Sequence, residues 1–299
     1  MNPPAAPTNP LATGCPSPSA LRVATARAAH QILEDDRLFQ DPYAIASLGS
    51  ATAASLLRDP LAHNDIASRS LRAGIIARQR FAEDRLLRAI AMGTEQYAIV
   101  GAGLDTWALR MAHTLPAVTA FELDQPPMQE WKTRLYAGNG WTTPRNLRHV
   151  GTDLRETTVM VSLATPGGAD LSRPISLSML GLLVYFDNAA VERQIDALRQ
   201  LPAGSTITLD YRLDEAQLNP IERLMMQYTA SMMAAGGEPW RSSCTPQHMN
   251  ELLTGAGFEV EEDLGPAELN ARYFAGRRDG LQIAGGGFRY LSAVREVGR

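Results

Sequence analysis

Residues 97 to 106 read Tyr-Ala-Ile-Val-Gly-Ala-Gly-Leu-Asp-Thr, and this segment decides the fold. Tyr97 to Val100 form a short apolar run bounded by a glycine turn, the pattern of a buried strand. Gly101 and Gly103 permit a tight turn and close backbone approach, and the helical composition that follows offers N–H groups without intrahelical partners. Strand, glycine turn and helix in that order form a candidate ligand cradle. A packing turn is the plainer alternative, because Thr106 stands where a third glycine would complete Gly-x-Gly-x-x-Gly.

Glu122 shifts the balance toward a ligand. It closes the next strand nineteen positions after Gly103, the spacing at which an acid in a doubly wound sheet reaches the hydroxyls of a bound ribose. Asp124 follows and could do the same or cap the next helix. Acids also end strands for solubility alone, but the combination favours an adenosine-type ligand.

Outward from this unit the chain alternates short strands and helices. Strands are predicted at 97–100, 117–121, 147–150, 175–180, 205–211, 258–263 and 288–294, with helices near 104–113, 124–137, 188–200 and 246–256. That rhythm implies a mostly parallel sheet with helical crossovers. Upstream, residues 22–37 and 66–92 read as helices of an N-terminal cap over residues 21–93, and residues 1–20, with six prolines, read as a disordered tail. Residues 94–299 form the core. Within it, 212–245 breaks the beat as an inserted helical lid.

Composition excludes several chemistries. The chain has 299 residues, a charge of −4 and 45% hydrophobic residues, which fits a soluble globular protein and offers no basic run for nucleic acid. Lys132 is the only lysine among 28 basic residues, so no phosphate loop ending in Gly-Lys-Ser/Thr and no Tyr-x-x-x-Lys pair can be written. None of the five histidines forms His-Glu-x-x-His, and no Gly-x-Ser-x-Gly occurs. Cys15 and Cys244 are the only cysteines, too few for a disulfide framework or a thiolate metal cluster. No apolar run is long enough for a membrane span and no export signal is recognisable, so a cytoplasmic protein is expected.

The segments IVGAGLDTWALR, FELDQPPMQEWK, GTDLRE, GLLVYF, EPWRS and DLGPAELNARYFAGRRDGL resemble bacterial S-adenosylmethionine-dependent methyltransferases related to leucine carboxyl methyltransferase. The likeness runs from about Arg22 to Val294. It implies the class I methyltransferase fold, a seven-stranded mostly parallel sheet with helices on both faces, and S-adenosyl-L-methionine as cofactor. It also implies O-methylation of a carboxylate or hydroxyl on a small metabolite, and a monomer or homodimer is expected.

By the same resemblance Arg78, and less directly Arg27, face the carboxylate of the cofactor's methionine part, where a bidentate guanidinium suits a planar anion. Gly101 and Gly103 lie under the methionine and ribose, Glu122 and Asp124 at the ribose, and Asp153 with Leu154 beside the adenine. An exposed helix arginine and a turn-forming aspartate are the alternatives for Arg78 and Asp153. Leu180 stands where the family pattern has a glutamate. That departure motivates a competing reading, a cofactor-binding partner or sensor that no longer transfers methyl groups. A nicotinamide-dependent dehydrogenase is disfavoured by Thr106 and the missing Tyr-x-x-x-Lys.

Acceptor-pocket candidates are Tyr185, Tyr211, Trp240, Arg241, Arg272 and Tyr273, each with ordinary packing or surface roles as the alternative. His248, at a helix start, is the candidate base should the acceptor be a hydroxyl. Met225, Met226, Met232 and Met233 offer an adaptable apolar lid or simple core filling.

Overall fold

The computed structural model describes residues 16–35 and 37–296. Most of the expected tail, Cys15 included, lies outside these residues. Helix α1 (Pro18–Leu33) starts earlier than the composition suggested. Ser17 caps it by accepting from the Ala20 N–H, and Pro18 suits the first helical turn, where no N–H donor is required. Helices α2 (Ser50–Arg58) and α3 (Ile66–Ala91) complete the N-terminal region. Asp65 caps α3 through the Ala67 and Ser68 N–H groups, and Gly93 follows its end at φ 101°.

Strand β1 (Gln96–Val100) is buried along its whole length, as a central parallel strand must be. It is followed by α4 (Trp107–Met111), β2 (Thr119–Asp124), α5 (Pro126–Gly138), β3 (Leu147–Gly151), α6 (Val159–Ala164), β4 (Ser176–Met179), α7 (Asn188–Ala197) and β5 (Thr206–Arg212). Helices α8 (Pro220–Ala235) and α9 (Pro246–Gly255), strand β6 (Phe258–Leu264), α10 (Pro266–Tyr273) and β7 (Phe288–Arg295) close the chain. The seven strands form one sheet in the order β3-β2-β1-β4-β5-β7-β6. β7 alone runs antiparallel, between β5 and β6.

Both faces are covered. On one, Ala98, Phe121, Leu177 and Ile207 meet α6, α7 and α9 through Leu163, Ile195 and Leu253. On the other, Tyr97, Ile99 and Ala120 meet Leu86, Trp107 and Tyr136. The order reverses between β1 and β4, so the crevice above their carboxyl ends is where an open parallel sheet binds ligands. No helix among the described residues is long and apolar enough to cross a membrane.

The N-terminal helices are fastened by a buried polar cluster. Arg72 of α3 donates to Glu34 at 2.6 and 3.0 Å, and His30 of α1 sits 2.9 Å from the same carboxylate. Burial alone would raise the Glu34 pKa, but hydrogen bonds from His30 and Arg72 outweigh it and hold the carboxyl below its ordinary value.

Candidate functional site

A cleft of about 1400 Å³ opens above the carboxyl ends of β1, β2 and β4. Its floor is the glycine turn. Gly101 and Gly103 adopt φ 74° and 47°, the left-handed region that favours glycine. A Cβ on Gly101 would lie 3.0 Å from Leu182, and one on Gly103 would lie 3.2 Å from Ala20 of α1. The first turn of α1 therefore covers the glycine turn closely. Asp124 fixes the loop from the side, accepting the Gly103 N–H at 2.6 Å and the Gln125 N–H at 2.7 Å. Burial raises the Asp124 pKa against these stabilising bonds.

Arg78 and Arg27 are two of the arginines that line the cleft. Arg78 of α3 donates to Asp210 of β5 at 2.9 Å, and the other carboxylate oxygen of Asp210 accepts the Gly181 N–H. Gly181 has φ 64°, and a Cβ there would press on the guanidinium at 2.8 Å. Glycine at that position is what lets Arg78 lie over the end of β4. Arg27 of α1 donates to the Leu104 carbonyl and lies 3.8 Å from Asp105, while its buried Nε has no partner.

Asp153 and Leu154 line the far wall. The hydrogen bond from Arg155 is the main reason the Asp153 carboxyl sits below its ordinary pKa. Leu180 lines the cleft beside Gly181. Leu180 offers no polar group there, and the acid beneath Arg78 is Asp210 of β5.

The sequence pattern of the leucine carboxyl methyltransferase family matches residues 20–199. The chain is 30% identical over 224 residues to YktD of Bacillus subtilis, covering 74% of this chain and 72% of that protein. It belongs to the leucine carboxyl methyltransferase family. YktD is provisionally named an S-adenosyl-L-methionine-dependent methyltransferase, as is a Mycolicibacterium vanbaalenii protein 30% identical over 262 residues, 81% of this chain and 82% of that one. Among solved structures, a provisionally named methyltransferase from Thermobifida fusca superposes with a TM-score of 0.62 at 18% identity, covering 97% of this chain and 99% of the other. A DUF574 family protein from Streptomyces avermitilis gives 0.60 at 17% identity, with 94% and 98% covered. These two likenesses are of fold.

Within this family frame, several expected site residues stand elsewhere. Glu122 is fully buried and does not line the cleft. It shares the Asp124 face of β2 but lies two residues deeper, under α5, where Lys132 donates to it at 2.7 Å. His149 lies 3.4 Å from the same carboxylate. Asp124 is thus the acid of β2 that reaches the cleft. Tyr211 is buried in the core, its hydroxyl donating to Asp263 at 2.7 Å. Arg272 pairs with Glu262 at 2.7 Å, and the Tyr273 hydroxyl donates to Asp84 at 2.9 Å, both away from the cleft. His248 is half exposed on α9 beside Glu192 and Glu251. Depth beneath α5 removed Glu122 from the cleft, and strand alternation and helix phase carried the other four side chains away from it.

Tyr185, Trp240 and Arg241 do line the cleft. Burial raises the Tyr185 pKa, with Ser19 and Trp240 beside its hydroxyl opposing the shift. The insertion also reaches it, through α8 and the loop after it. Sequence reasoning missed Glu238 in that loop, which accepts from the Ser17 hydroxyl and, at 2.7 Å, from the Ser19 N–H. The unpaired N–H groups at the start of α1 were the signal that could have found it.

Proposed function

We propose that the protein is an S-adenosyl-L-methionine-dependent methyltransferase that methylates an oxygen of a small molecule. The observation that carries this reading is the Gly101–Gly103 floor, open to a cleft lined also by Arg78 and by Arg27, whose buried Nε has no partner. The residues present fit the cofactor. Arg78 and Arg27 would take its carboxylate, the main chain of the turn its methionine and ribose portion, Asp124 the hydroxyls, Asp153 the adenine amine, and Leu154 the ring face.

A sulfonium methyl arrives activated, so the chain's tasks are alignment and exclusion of water. Helices α1 and α8 perform the second task from above. No histidine among the described residues lines the cleft, and its carboxylates are engaged: Asp210 by Arg78, Asp153 by Arg155, Asp187 by the Ala190 N–H, Glu238 by α1, Asp124 by the Gly103 and Gln125 N–H groups, Asp105 by Arg27 and the Trp107 N–H, and Glu222 by the Asn219 N–H. An acceptor that is ionised at neutral pH, a carboxylate, needs no base. This favours a carboxylate over an alcohol.

Titration calorimetry with S-adenosylhomocysteine tests the proposal. The wild type should bind, Gly101→Asp should lose binding entirely, and Arg78→Met should weaken it roughly ten- to hundredfold, as expected for a charged hydrogen bond. Wild-type protein that ignores S-adenosylhomocysteine yet is stabilised by NAD would reject it.

A further inference from the structure

Helix α8 presents Ile221, Met225, Tyr228 and Met232, spaced as one helical face, to the cleft. All four are large; Ile221 and Tyr228 are 76% and 62% exposed, and Met225 and Met232 about half exposed. Ile66, at the start of α3, also lines the cleft and is 84% exposed. Single-ligand pockets span about 300–1,000 Å³, and this cleft of about 1400 Å³ has room for a second molecule beside the one at the glycine turn.

The stripe is oriented with respect to that turn. At its carboxyl end, Arg22 of α1 contacts the Met233 sulfur at 3.6 Å, and Ala20, two residues earlier, sits on Gly103. The carboxyl end of α8 therefore lies at the glycine turn and the amino end points away. From Ile221 to Met232 the stripe runs about 16 Å at 1.5 Å per residue. Two cationic side chains line the cleft near the turn end without an acidic partner among the described residues. Arg22 meets only the thioether, and Arg241, whose N–H donates to Val184 at 2.8 Å, has no ion pair. The nearby Glu238 is already held by α1.

We propose that the methyl acceptor is an amphipathic carboxylic acid, its long apolar body lying along the α8 stripe and its carboxylate held toward the glycine turn by Arg22 and Arg241. The inference rests on the methyltransferase reading above. In the step it implies, a carboxylate oxygen forms a bond to the methyl carbon while the C–S bond breaks and its electron pair passes to sulfur. The products are a methyl ester and a neutral thioether, and no proton moves.

Calorimetry on the full chain saturated with S-adenosylhomocysteine, using butanoate, octanoate and dodecanoate below their micellar concentrations, tests it. Affinity should rise about three- to fourfold per methylene, the burial value for a CH₂. Met225→Asn and Tyr228→Asn, at exposed positions, should flatten that series and leave S-adenosylhomocysteine affinity unchanged. Arg22→Gln with Arg241→Gln should weaken all three acids by a similar factor. Equal affinity for the three acids, or a series unaffected by Met225→Asn, overturns the proposal. So does a dimer in sedimentation velocity that Met225→Asn dissociates, since a second copy would then cover the stripe. Failure of S-adenosylhomocysteine itself to bind strikes the donor reading instead, and is seen before any acid is added.

Discussion

The two ends of the cleft are built on opposite principles. At the glycine turn, backbone conformation and buried polar bonds set the geometry: Gly101, Gly103 and Gly181 sit at positive φ, Asp124 accepts two N–H groups, and Arg78 rests on Asp210. At the α8 end, thioethers and an exposed apolar face form the wall. One end can recognise a single rigid ligand. The other can adapt to bulk and shape, because methionine side chains rearrange at little cost. A cofactor common to many acceptors and an acceptor particular to one enzyme would demand this division.

The sharpest way to break the comparison is to attack the support behind the turn. Lys132 and Glu122 form a fully buried pair directly beneath Asp124 on β2. Removing one partner of such a pair strands a charge and costs about 3–5 kcal/mol, whereas removing both can be nearly neutral. Lys132→Met should therefore lower stability in urea by that amount, and Lys132→Met with Glu122→Gln should recover most of it. If the single variant unfolds at the wild-type urea midpoint, the donor wall does not depend on the pair.

A matched pair of glycine substitutions sharpens the contrast. Gly181→Ala must hold an L side chain at positive φ, about 1–2 kcal/mol, and its Cβ meets the Arg78 guanidinium at 2.8 Å. S-adenosylhomocysteine affinity should fall about tenfold. Gly287→Ala places a Cβ 1.5 Å from the Met226 methyl, a closer clash on paper. That atom is the free end of a flexible chain, so the alanine should cost under about 1 kcal/mol and leave S-adenosylhomocysteine binding intact. Equal losses at both positions would erase the distinction between the ends.

The same division explains what the sequence could reveal. The glycine turn was legible because positive φ restricts residue choice, and the strand-helix rhythm was legible because a buried parallel strand must be apolar throughout. Roles that depend on depth were not. Glu122 and Asp124 share a face and a spacing argument, and only the position of α5 decides that one meets Lys132 and the other the cleft. Tyr211, Arg272, Tyr273 and His248 failed similarly, since following a strand or starting a helix does not say which way a side chain turns. The α8 stripe has a helical period that sequence can show, but an apolar period is the same whether a core or a ligand fills it.

A family match over residues 20–199 leaves α8 outside the matched span. The matched span holds the glycine turn, Arg78 and Asp124, while Asp210 beneath Arg78 lies beyond it with α8. A pH-dependent contrast separates structural from ligand-directed acids in the shared part. Glu34 is held below its ordinary pKa, so its contribution is complete above the unfolded-state value of 4.5 and is lost as pH falls through the lower folded value. Glu34→Gln should lower the melting temperature at pH 7, and the gap to wild type should close on acidification.

Asp124 has the opposite sign and the smallest expected effect on stability. Burial raises its pKa in the fold, so its favourable contribution exists at low pH and is lost as pH rises through the folded value, leaving the ionised carboxylate a burden at neutral pH. An amide at this position keeps an acceptor for the Gly103 N–H, gives up the one that serves the Gln125 N–H, and sheds the charge. Asp124→Asn should thus melt at or above the wild-type temperature at pH 7 while binding S-adenosylhomocysteine more weakly, a trade of affinity for stability that marks residues kept for their ligand. Thermal melts at pH 5 and pH 7 with parallel calorimetry measure both quantities. A variant that loses stability at pH 7 and keeps full affinity would make Asp124 a brace for the loop, and the polar end of the cleft would lose its ribose-facing acid.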